Sequence, residues 1–401
     1  MINMKKYITL LLAVLCIIFL TDCNDFEHKP WGPQGSAPGQ VTQVQVENLP
    51  GAAKLTYELP GDQDLLYVMA VFTLPSGESR SVKASVYRNY LLMEGFPLAT
   101  DYKVQLYTVN KSEARSEPVS VTVHPSTPLL QDVFASLVVN PDFGGINIKA
   151  ENSMGRGYVY STLVKDARGM WQLVDRNYSA LDSLNYSVRG LDSTEAEFGI
   201  FVTDQWNNNS DTLVKKLKPL YEELLDKSTW KLAPLQSDFS TPFYSYSNVE
   251  HIWDNNIHEQ NGIYDYYYAH PVAAPPLPSW FTIDLGRPYK LSRLRVYQYE
   301  GSGQYMYTDG NPRVYEIWGN TQAVDSWDSW KLLQHCVSIK PSGLPSGVRN
   351  ADDVAYAIKG EDFSFPLDAP AVRYIRFKLI DTWSHQPNLL LDEITLWGQK
   401  N

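Results

Sequence analysis

The chain has 401 residues, a formal net charge of −11 and an aromatic content of 13%. Because no Lys/Arg-rich run follows Lys5 and Lys6, long-range repulsion disfavours nucleic acids and highly anionic glycans as partners. Cys336 is the one cysteine beyond the N-terminal segment, so we expect no intrachain disulfide framework and a buried, inert thiol. The length allows two or three buried cores, which must supply the stability.

The first 22 residues have the pattern of a secretory signal peptide. Two early lysines precede the apolar run Tyr7–Leu20, which is too short for a comfortable membrane span. Cys23 follows at the place of the acylated cysteine in a bacterial lipobox. Asp25 and Glu27 resemble the acidic export tags of surface lipoproteins, so the resemblance implies a lipid anchor in the outer membrane, facing the cell exterior. The alternative is plain secretion, with Cys23 as an ordinary residue.

Two β-sandwiches are predicted next. Residues 23–38 are rich in Pro, Gly and polar groups and are expected to form a flexible tether. Regions 39–126 and 127–219 contain short alternating segments separated by turn signals, which is typical of all-β sandwiches. Both resemble fibronectin type III domains. The strands predicted for the first are Val41–Val46, Ala53–Tyr57, Leu66–Thr73, Tyr102–Val109 and Val119–Val123.

A short helix is predicted between the second and third domains. In the segment Pro219–Lys227, proline precedes the first turn, Glu222 and Glu223 follow early, and Lys227 closes it. This order suits the helix dipole. We therefore expect residues 220–401 to comprise a linker helix and the third domain, with both glutamates on a solvated helix face.

The last third contains four segments that alternate apolar and polar residues with a period of two, as half-buried strands do. They are Trp280–Gly286, Asn311–Gly319, Arg373–Phe377 and Leu391–Gly398. Their order and their sequences resemble those of the discoidin family (coagulation factor type C, galactose-binding-like). The resemblance implies a jelly-roll β-sandwich that binds sugars. Core packing is expected for the apolar members Trp280, Leu285, Ile317, Trp318, Ile375, Ile394 and Trp397, and a structural role for Arg373 and Arg376.

Three loops carry the candidate binding residues. In a jelly roll the strands form the scaffold, and loops at one end bind the ligand. A pyranose offers an apolar C–H face to an aromatic ring and hydroxyls to polar side chains. The ligand-binding candidates are Tyr266, Tyr268 and His270 in the first loop, Tyr299 and Tyr305 in the second, and Trp383, His385 and Asn388 in the third. The alternative is that the tyrosines pack against a neighbouring sandwich or each other.

The discoidin resemblance also implies a candidate site for a structural calcium ion. Asp254 and Glu393 stand at corresponding places, and hard oxygen ligands suit Ca²⁺, but Asn255 stands where the family has glycine. The alternative is an Asp turn cap and a surface Glu. No H-E-x-x-H, G-x-S-x-G or paired-Cys motif is visible, so we predict neither catalytic residues nor a required cofactor.

The whole layout resembles three-domain surface lipoproteins encoded with glycan-uptake systems in Bacteroides-like bacteria. It predicts a non-catalytic lipoprotein that captures a neutral or weakly charged glycan at its C-terminal jelly roll, beside a transporter or other surface lipoproteins. The alternative is a protein-interaction or adhesion module that binds a partner envelope protein or a host glycoprotein.

Overall fold

The computed structural model describes residues 36–239, 248–257, 276–301 and 304–400. The chain divides into two compact units. The first comprises residues up to 135 together with 202–210, and the second comprises 136–201 and 211–401. None of the helices in the described ranges has the length and apolar character needed to cross a membrane.

The first sandwich packs a three-stranded sheet against a four-stranded one. Its strands are β1 (Thr42–Leu49), β2 (Ala52–Glu58), β3 (Leu65–Thr73), β4 (Ser79–Ser85), β5 (Tyr90–Glu94), β6 (Tyr102–Asn110) and β7 (Val119–Val123). The sheet orders are β1-β2-β5 and β4-β3-β6-β7. In its core the Phe96 ring contacts Phe72 and Tyr102, with centroids 4.7 and 4.6 Å apart. Helix α1 (Leu129–Ala135) follows this sandwich.

The second sandwich repeats this arrangement. Its strands are β8 (Val138–Asp142), β9 (Gly145–Glu151), β10 (Tyr158–Lys165), β11 (Trp171–Ser179), β12 (Ser183–Arg189), β13 (Ala196–Thr203) and β14 (Leu213–Leu217). The sheets have the orders β12-β9-β8 and β11-β10-β13-β14, so the strands pair in the same sequence as in the first sandwich. The prediction of two fibronectin III-like sandwiches is confirmed.

The third sandwich wraps one long sheet around a single core. Its elements are β15 (Glu223–Leu224), β16 (Lys231–Leu232), β17 (Ser279–Gln298), β18 (Pro312–Asn320), β19 (Lys331–Val337), α2 (Ala351–Lys359), β20 (Glu361–Ser364), β21 (Val372–Thr382) and β22 (Leu391–Lys400). The early part of β17 pairs with β21 and its later part with β22, with an irregularity near Gly286. One cluster of buried side chains, including Ile283, Leu294, Ile375 and Ile394, lies inside. The predicted all-β class is confirmed.

The predicted linker helix is wrong. Glu223 and Leu224 instead form β15, which pairs with Gly398 and Trp397 of β22. The Glu222 carboxylate is not solvated, because it accepts hydrogen bonds from Ser292 Oγ at 2.5 Å and Arg293 Nε at 3.2 Å. These tertiary contacts outweigh a weak local helix preference.

Core packing is confirmed for the four aliphatic candidates but is wrong for the three tryptophans. Leu285, Ile317, Ile375 and Ile394 belong to the core cluster. Trp280, Trp318 and Trp397 are half-buried, because strand alternation turns them to the outer face of the sheet. The rings of Trp280 and Trp318 meet Trp327 edge-on, at centroid distances of 5.0 and 5.2 Å.

The two arginines of β21 have structural partners. Arg373 donates to both carboxylate oxygens of Asp284 at 2.8 Å. Arg376 is completely buried, with its guanidinium 4.5 Å from the Trp327 ring centroid and 3.6 Å from Asp238 Oδ1. Cys336 is also buried, and burial raises the pKa of its thiol, so it has little thiolate character.

Candidate functional site

Two loops of the third sandwich lie at the same end of the fold. The first, residues 299–311, joins β17 to β18, and the second, residues 383–390, joins β21 to β22. Gln298 pairs with Leu391, and Pro312 pairs with Thr382. These pairs place the ends of all four strands together. We call the described residues of the two segments site loop 1 (299–301 and 304–311) and site loop 2 (383–390).

The side chain of Asn311 organises site loop 1. It is fully buried, and its Nδ2 donates to the carbonyl oxygens of Tyr299 at 2.9 Å and Tyr305 at 2.7 Å. Its Oδ1 accepts from the Tyr299 backbone N–H at 2.7 Å. The Asn311 carbonyl accepts from the Trp383 N–H at 3.0 Å, which joins the two loops. One buried amide therefore bonds to three backbone groups of site loop 1 and fixes their relative positions.

Ser384 forms a second connection between the loops. Its Oγ accepts from the backbone N–H of Asp309 at 2.6 Å and lies 3.2 Å from Thr308 Oγ1. Close by, Leu390 N–H donates to the Gly310 carbonyl at 2.9 Å. A Cβ at Gly310 would lie only 2.9 Å from backbone atoms of site loop 2, so the close approach of the loops requires glycine there.

Three residues of the paired loops adopt the left-handed backbone region without being glycine. They are Tyr307, Asp309 and His385, with φ values of 54°, 50° and 55°. Such conformations cost free energy and persist where surrounding contacts hold them. Here the backbone N–H groups of all three are bonded: Tyr307 donates to Gln298 Oε1 at 2.7 Å, Asp309 to Ser384 Oγ at 2.6 Å, and His385 to the Thr382 carbonyl at 3.1 Å.

The loops enclose an open cleft of about 450 Å³. Its lining residues are Gln304, Tyr305, Thr308, Asp309, Ser384 and Gln386. The volume lies within the range of roughly 300–1,000 Å³ that is usual for small-ligand sites. Tyr305, 38% exposed, supplies an aromatic surface, and the other side chains supply amide, hydroxyl and carboxylate groups.

The structure places the predicted tyrosines of site loop 1 together. Tyr305 lines the cleft, and the Tyr299 ring lies beside it with centroids 5.4 Å apart. The candidates Tyr266, Tyr268 and His270, and the proposed lipidation site Cys23, lie outside the described residues.

The candidates of site loop 2 lie near the cleft but are not among its lining residues. The edge of the Trp383 ring meets Tyr307 at a centroid distance of 5.1 Å, and Trp383 Nε1 is buried without a hydrogen-bond partner within the described ranges. His385 is exposed, and its Nδ1 lies 3.0 Å from both Asp381 carboxylate oxygens. Asn388 Oδ1 accepts from the Leu389 N–H at 3.0 Å. Their part in ligand binding stays a prediction.

Sequence reasoning did not select five lining residues. They are Gln304, Thr308, Asp309, Ser384 and Gln386. Four of them are uncharged polar residues, and this type is common in surface loops, so residue type alone does not distinguish them. Their position beside the selected aromatics was the one signal available.

The candidate calcium ligand Glu393 is paired with a lysine. Lys227 Nζ donates to Glu393 Oε1 and, at 2.9 Å, to Thr395 Oγ1, while Asn255 N–H donates to Glu393 Oε1 at 3.3 Å. Burial lowers the pKa of Lys227 and raises that of Glu393 to about 7, and the attraction between the two charges opposes both shifts. No group of three or more acidic, His or Cys side chains suited to a metal occurs among the described residues. Calcium binding by Asp254 and Glu393 stays a prediction, and it would require Lys227 to move.

The fold and the cleft define a β-sandwich protein whose last domain carries a site of small-ligand size. Family models for domains of unknown function match three regions, at residues 38–125 (DUF4959), 126–228 (DUF5126) and 253–398 (DUF5000). No curated protein matches the chain.

One solved relative establishes the family. The chain is 31% identical to the SusE-like protein BT2857, over 68% of this chain and 99% of that protein, with a TM-score of 0.44. On this sequence identity the chain belongs to the family of that SusE-like protein.

Two further solved structures are more distant. The C-terminal domain of a chitobiase from Bacteroides fragilis is 15% identical, over 44% of this chain and 98% of that domain, with a TM-score of 0.30. A carbohydrate-binding module, CBM32-2 of a GH31 protein bound to GalNAc, is 11% identical, over 42% of this chain and 95% of that module, with a TM-score of 0.27. Similarity at this level carries no argument about the ligand of this chain.

Proposed function

We propose that the chain binds a neutral or weakly charged glycan in the cleft between site loops 1 and 2, without transforming it. The observation that carries the proposal is the exposed ring of Tyr305 among amide, hydroxyl and carboxylate side chains. A sugar ring stacks its apolar C–H face on an aromatic ring, and its hydroxyls need donors and acceptors in fixed directions.

The hydrogen bonds behind the cleft support this proposal. Asn311 fixes the backbone that carries Tyr305, and Ser384 fixes the backbone of Asp309. A site that is ordered before the ligand arrives loses less conformational entropy on binding. Preorganisation is valuable for a glycan, because each hydroxyl must exchange a hydrogen bond with water for one with the protein.

We place this activity at the outer surface of the cell. Membership of the SusE-like family and the lipobox resemblance at Cys23 both favour a surface lipoprotein. In this proposal the acyl chains anchor the protein in the outer membrane, and a transporter or other surface lipoproteins act on the captured glycan. Along the chain, the tether and the first two sandwiches come between the anchor and the cleft. We also propose that the third sandwich is a discoidin-like jelly roll.

A second candidate function, binding of a partner protein, is favoured by one observation. Strand β11 forms an edge of its sheet and exposes apolar side chains, with Leu173 48% and Tyr178 74% accessible. An exposed edge strand with apolar residues is a site where another chain can add a strand.

A glycan-array screen of the full chain, purified in detergent, distinguishes the two functions. We expect binding to one class of neutral polysaccharide. Absence of binding by a chain whose circular dichroism and unfolding midpoint show it to be folded would contradict the glycan proposal. The β11 edge would then be tested by pull-down from the cell envelope.

A further inference from the structure

A second cleft, of about 490 Å³, lies between the second and third sandwiches and within one compact unit of the chain. One wall is formed by strands β8, β9 and β12, and the other by residues 362–367 together with Gln334. We call it the interdomain cleft. It shares no lining residue with the cleft of the site loops.

Amide side chains dominate one wall of the interdomain cleft. Asn140 pairs across strands with Asn147, and Lys149 pairs with Asn185. Residues paired directly across strands project from the same face of a sheet, so these four side chains form a continuous polar surface. Phe363, half-buried, adds an aromatic group from the opposite wall.

This surface has unused hydrogen-bonding capacity. Asn147 Nδ2 donates to Asn185 Oδ1 at 2.9 Å, which orients both amides. The side chains of Asn140, Lys149 and Gln334 have no hydrogen-bond or ion-pair partner elsewhere in the described ranges. A polar wall with free donors and acceptors suits a ligand that carries many hydroxyl groups.

Charged side chains hold the two walls in a fixed relationship. Arg189 Nη2 of the second sandwich donates to Ser364 Oγ of the third at 2.9 Å. Arg189 Nη1 also lies 3.5 Å from Glu222 Oε1, and Arg293 Nε of the third sandwich lies 3.2 Å from the same oxygen. These side chains are largely buried, so the cleft is shaped before a ligand enters.

The charge in the cleft is low. Asp362 lines it, but both of its carboxylate oxygens accept from Arg295, at 2.6 and 2.7 Å. Asp142 also lines it and is paired with Arg189 Nη2 at 3.2 Å. Lys149 is therefore the one unpaired charge among the lining side chains, all of which lie in the described ranges. A single ammonium group can donate hydrogen bonds to sugar hydroxyls, but one positive charge is not enough to select a polyanion.

We propose that the interdomain cleft is a second binding site for a neutral glycan, built from Asn140, Asn147, Lys149, Asn185 and Gln334. The inference rests on the proposed function, because it assigns the same ligand class to a separate site. Two sites on one chain would raise the avidity for a polysaccharide above that of either site alone.

Affinity electrophoresis of the full chain in gels containing galactan, mannan, xylan or β-glucan tests the proposal. The variant Lys149→Ala/Gln334→Ala removes two side chains without hydrogen-bond partners, so folding should be preserved. Lys218→Ala is the matched control, because Lys218 is exposed and lies outside the cleft lining. We expect the double variant to weaken retardation about fivefold or more, and the control to behave as wild type.

Adding Tyr305→Ala to the comparison separates the two sites. Wild-type retardation in the double variant, together with weakened retardation in Tyr305→Ala, would overturn the second site and leave the site-loop cleft intact. Loss of retardation in the double variant alone would support the interdomain cleft and contradict the site-loop proposal. If no polysaccharide retards the folded wild-type chain, both proposals are overturned.

Discussion

Asn311 holds the backbone of Tyr305 in place, with its Nδ2 donating to the Tyr305 carbonyl at 2.7 Å. Replacing Asn311 by Asp removes its Nδ2 hydrogen bonds to the Tyr299 and Tyr305 carbonyls and turns a carboxylate oxygen toward them. We expect the third sandwich to lose about 2–4 kcal/mol of unfolding free energy. Urea unfolding followed by tryptophan fluorescence measures it, with Asn89→Asp on the exposed surface of the first sandwich as the control. Equal midpoints for the two variants would contradict the organising role of Asn311.

Trp383 is expected to support the cleft through packing against Tyr307. Trp383→Ala removes a large, half-buried ring, so we expect a loss of about 2–3 kcal/mol. Trp383→Phe should retain most of the stability, because it keeps an aromatic ring against the buried Tyr307. The unfolding midpoints of both variants check this. If Trp383→Ala is as stable as wild type but no longer binds glycan, the ring contacts the ligand directly, as the sequence analysis predicted.

The alternation of apolar and polar residues along the strands made the fold predictable. The site depends on contacts between loops, which this alternation does not indicate. The four strand segments of the last third are all present, because each contributes apolar side chains to one core, at alternate positions in the first three. The helix expected at 219–227 is absent, because Glu222 bonds to residues about 70 positions away along the chain. The alternating pattern predicts that Asn311 begins a strand. It does not predict that its amide is buried and bonds to the backbone of site loop 1, because that depends on how the two loops pack.

Glu361 should make the stability of the third sandwich depend on pH. Burial raises the pKa of its carboxyl to about 7 in the folded protein, above the ordinary value of about 4.5. Between these two values the unfolded chain has released its proton while the folded chain retains it, so the free energy of unfolding falls as pH rises. Relative to Glu361→Gln, we expect wild type to lose about 2–3 kcal/mol between pH 5 and 7.

Urea unfolding of both proteins at these two pH values measures the effect. The glutamine keeps an oxygen for the Ile339 N–H, which donates to Glu361 Oε1 at 2.7 Å. A constant difference between wild type and Glu361→Gln across the range would show that the carboxyl is ionised in the folded protein at pH 5.

Lys227 is expected to stabilise the third sandwich by balancing the buried charge of Glu393. Lys227→Met keeps the aliphatic stem but leaves Glu393 without its cation, which costs about 3–5 kcal/mol when a buried pair is broken. Lys331→Met, on the exposed start of β19, is the control. A variant as stable as that control would contradict the role given to the pair.

Thermal unfolding of wild type, Lys227→Met and Lys331→Met measures this effect, and the same thermal scans test the calcium prediction. Calcium and a chelator are added in turn to wild type and to Lys227→Met. A higher midpoint in calcium would support the predicted calcium binding, and its loss in Glu393→Gln would assign the site to Glu393. Equal midpoints in both conditions, for both proteins, would contradict it.

The most direct test of glycan binding at the site loops is a calorimetric titration. The full chain is titrated with the neutral glycan to which it binds on the array. The titration compares wild type with Tyr305→Ala and with the control Tyr87→Ala. Tyr87 lies in the first sandwich and is 95% exposed, so its substitution removes a tyrosine ring away from the cleft. We predict that Tyr305→Ala raises Kd about tenfold or more, corresponding to about 1.4 kcal/mol of lost stacking, and that Tyr87→Ala leaves it unchanged. An unchanged Kd for a folded Tyr305→Ala chain would contradict binding in the cleft between the site loops.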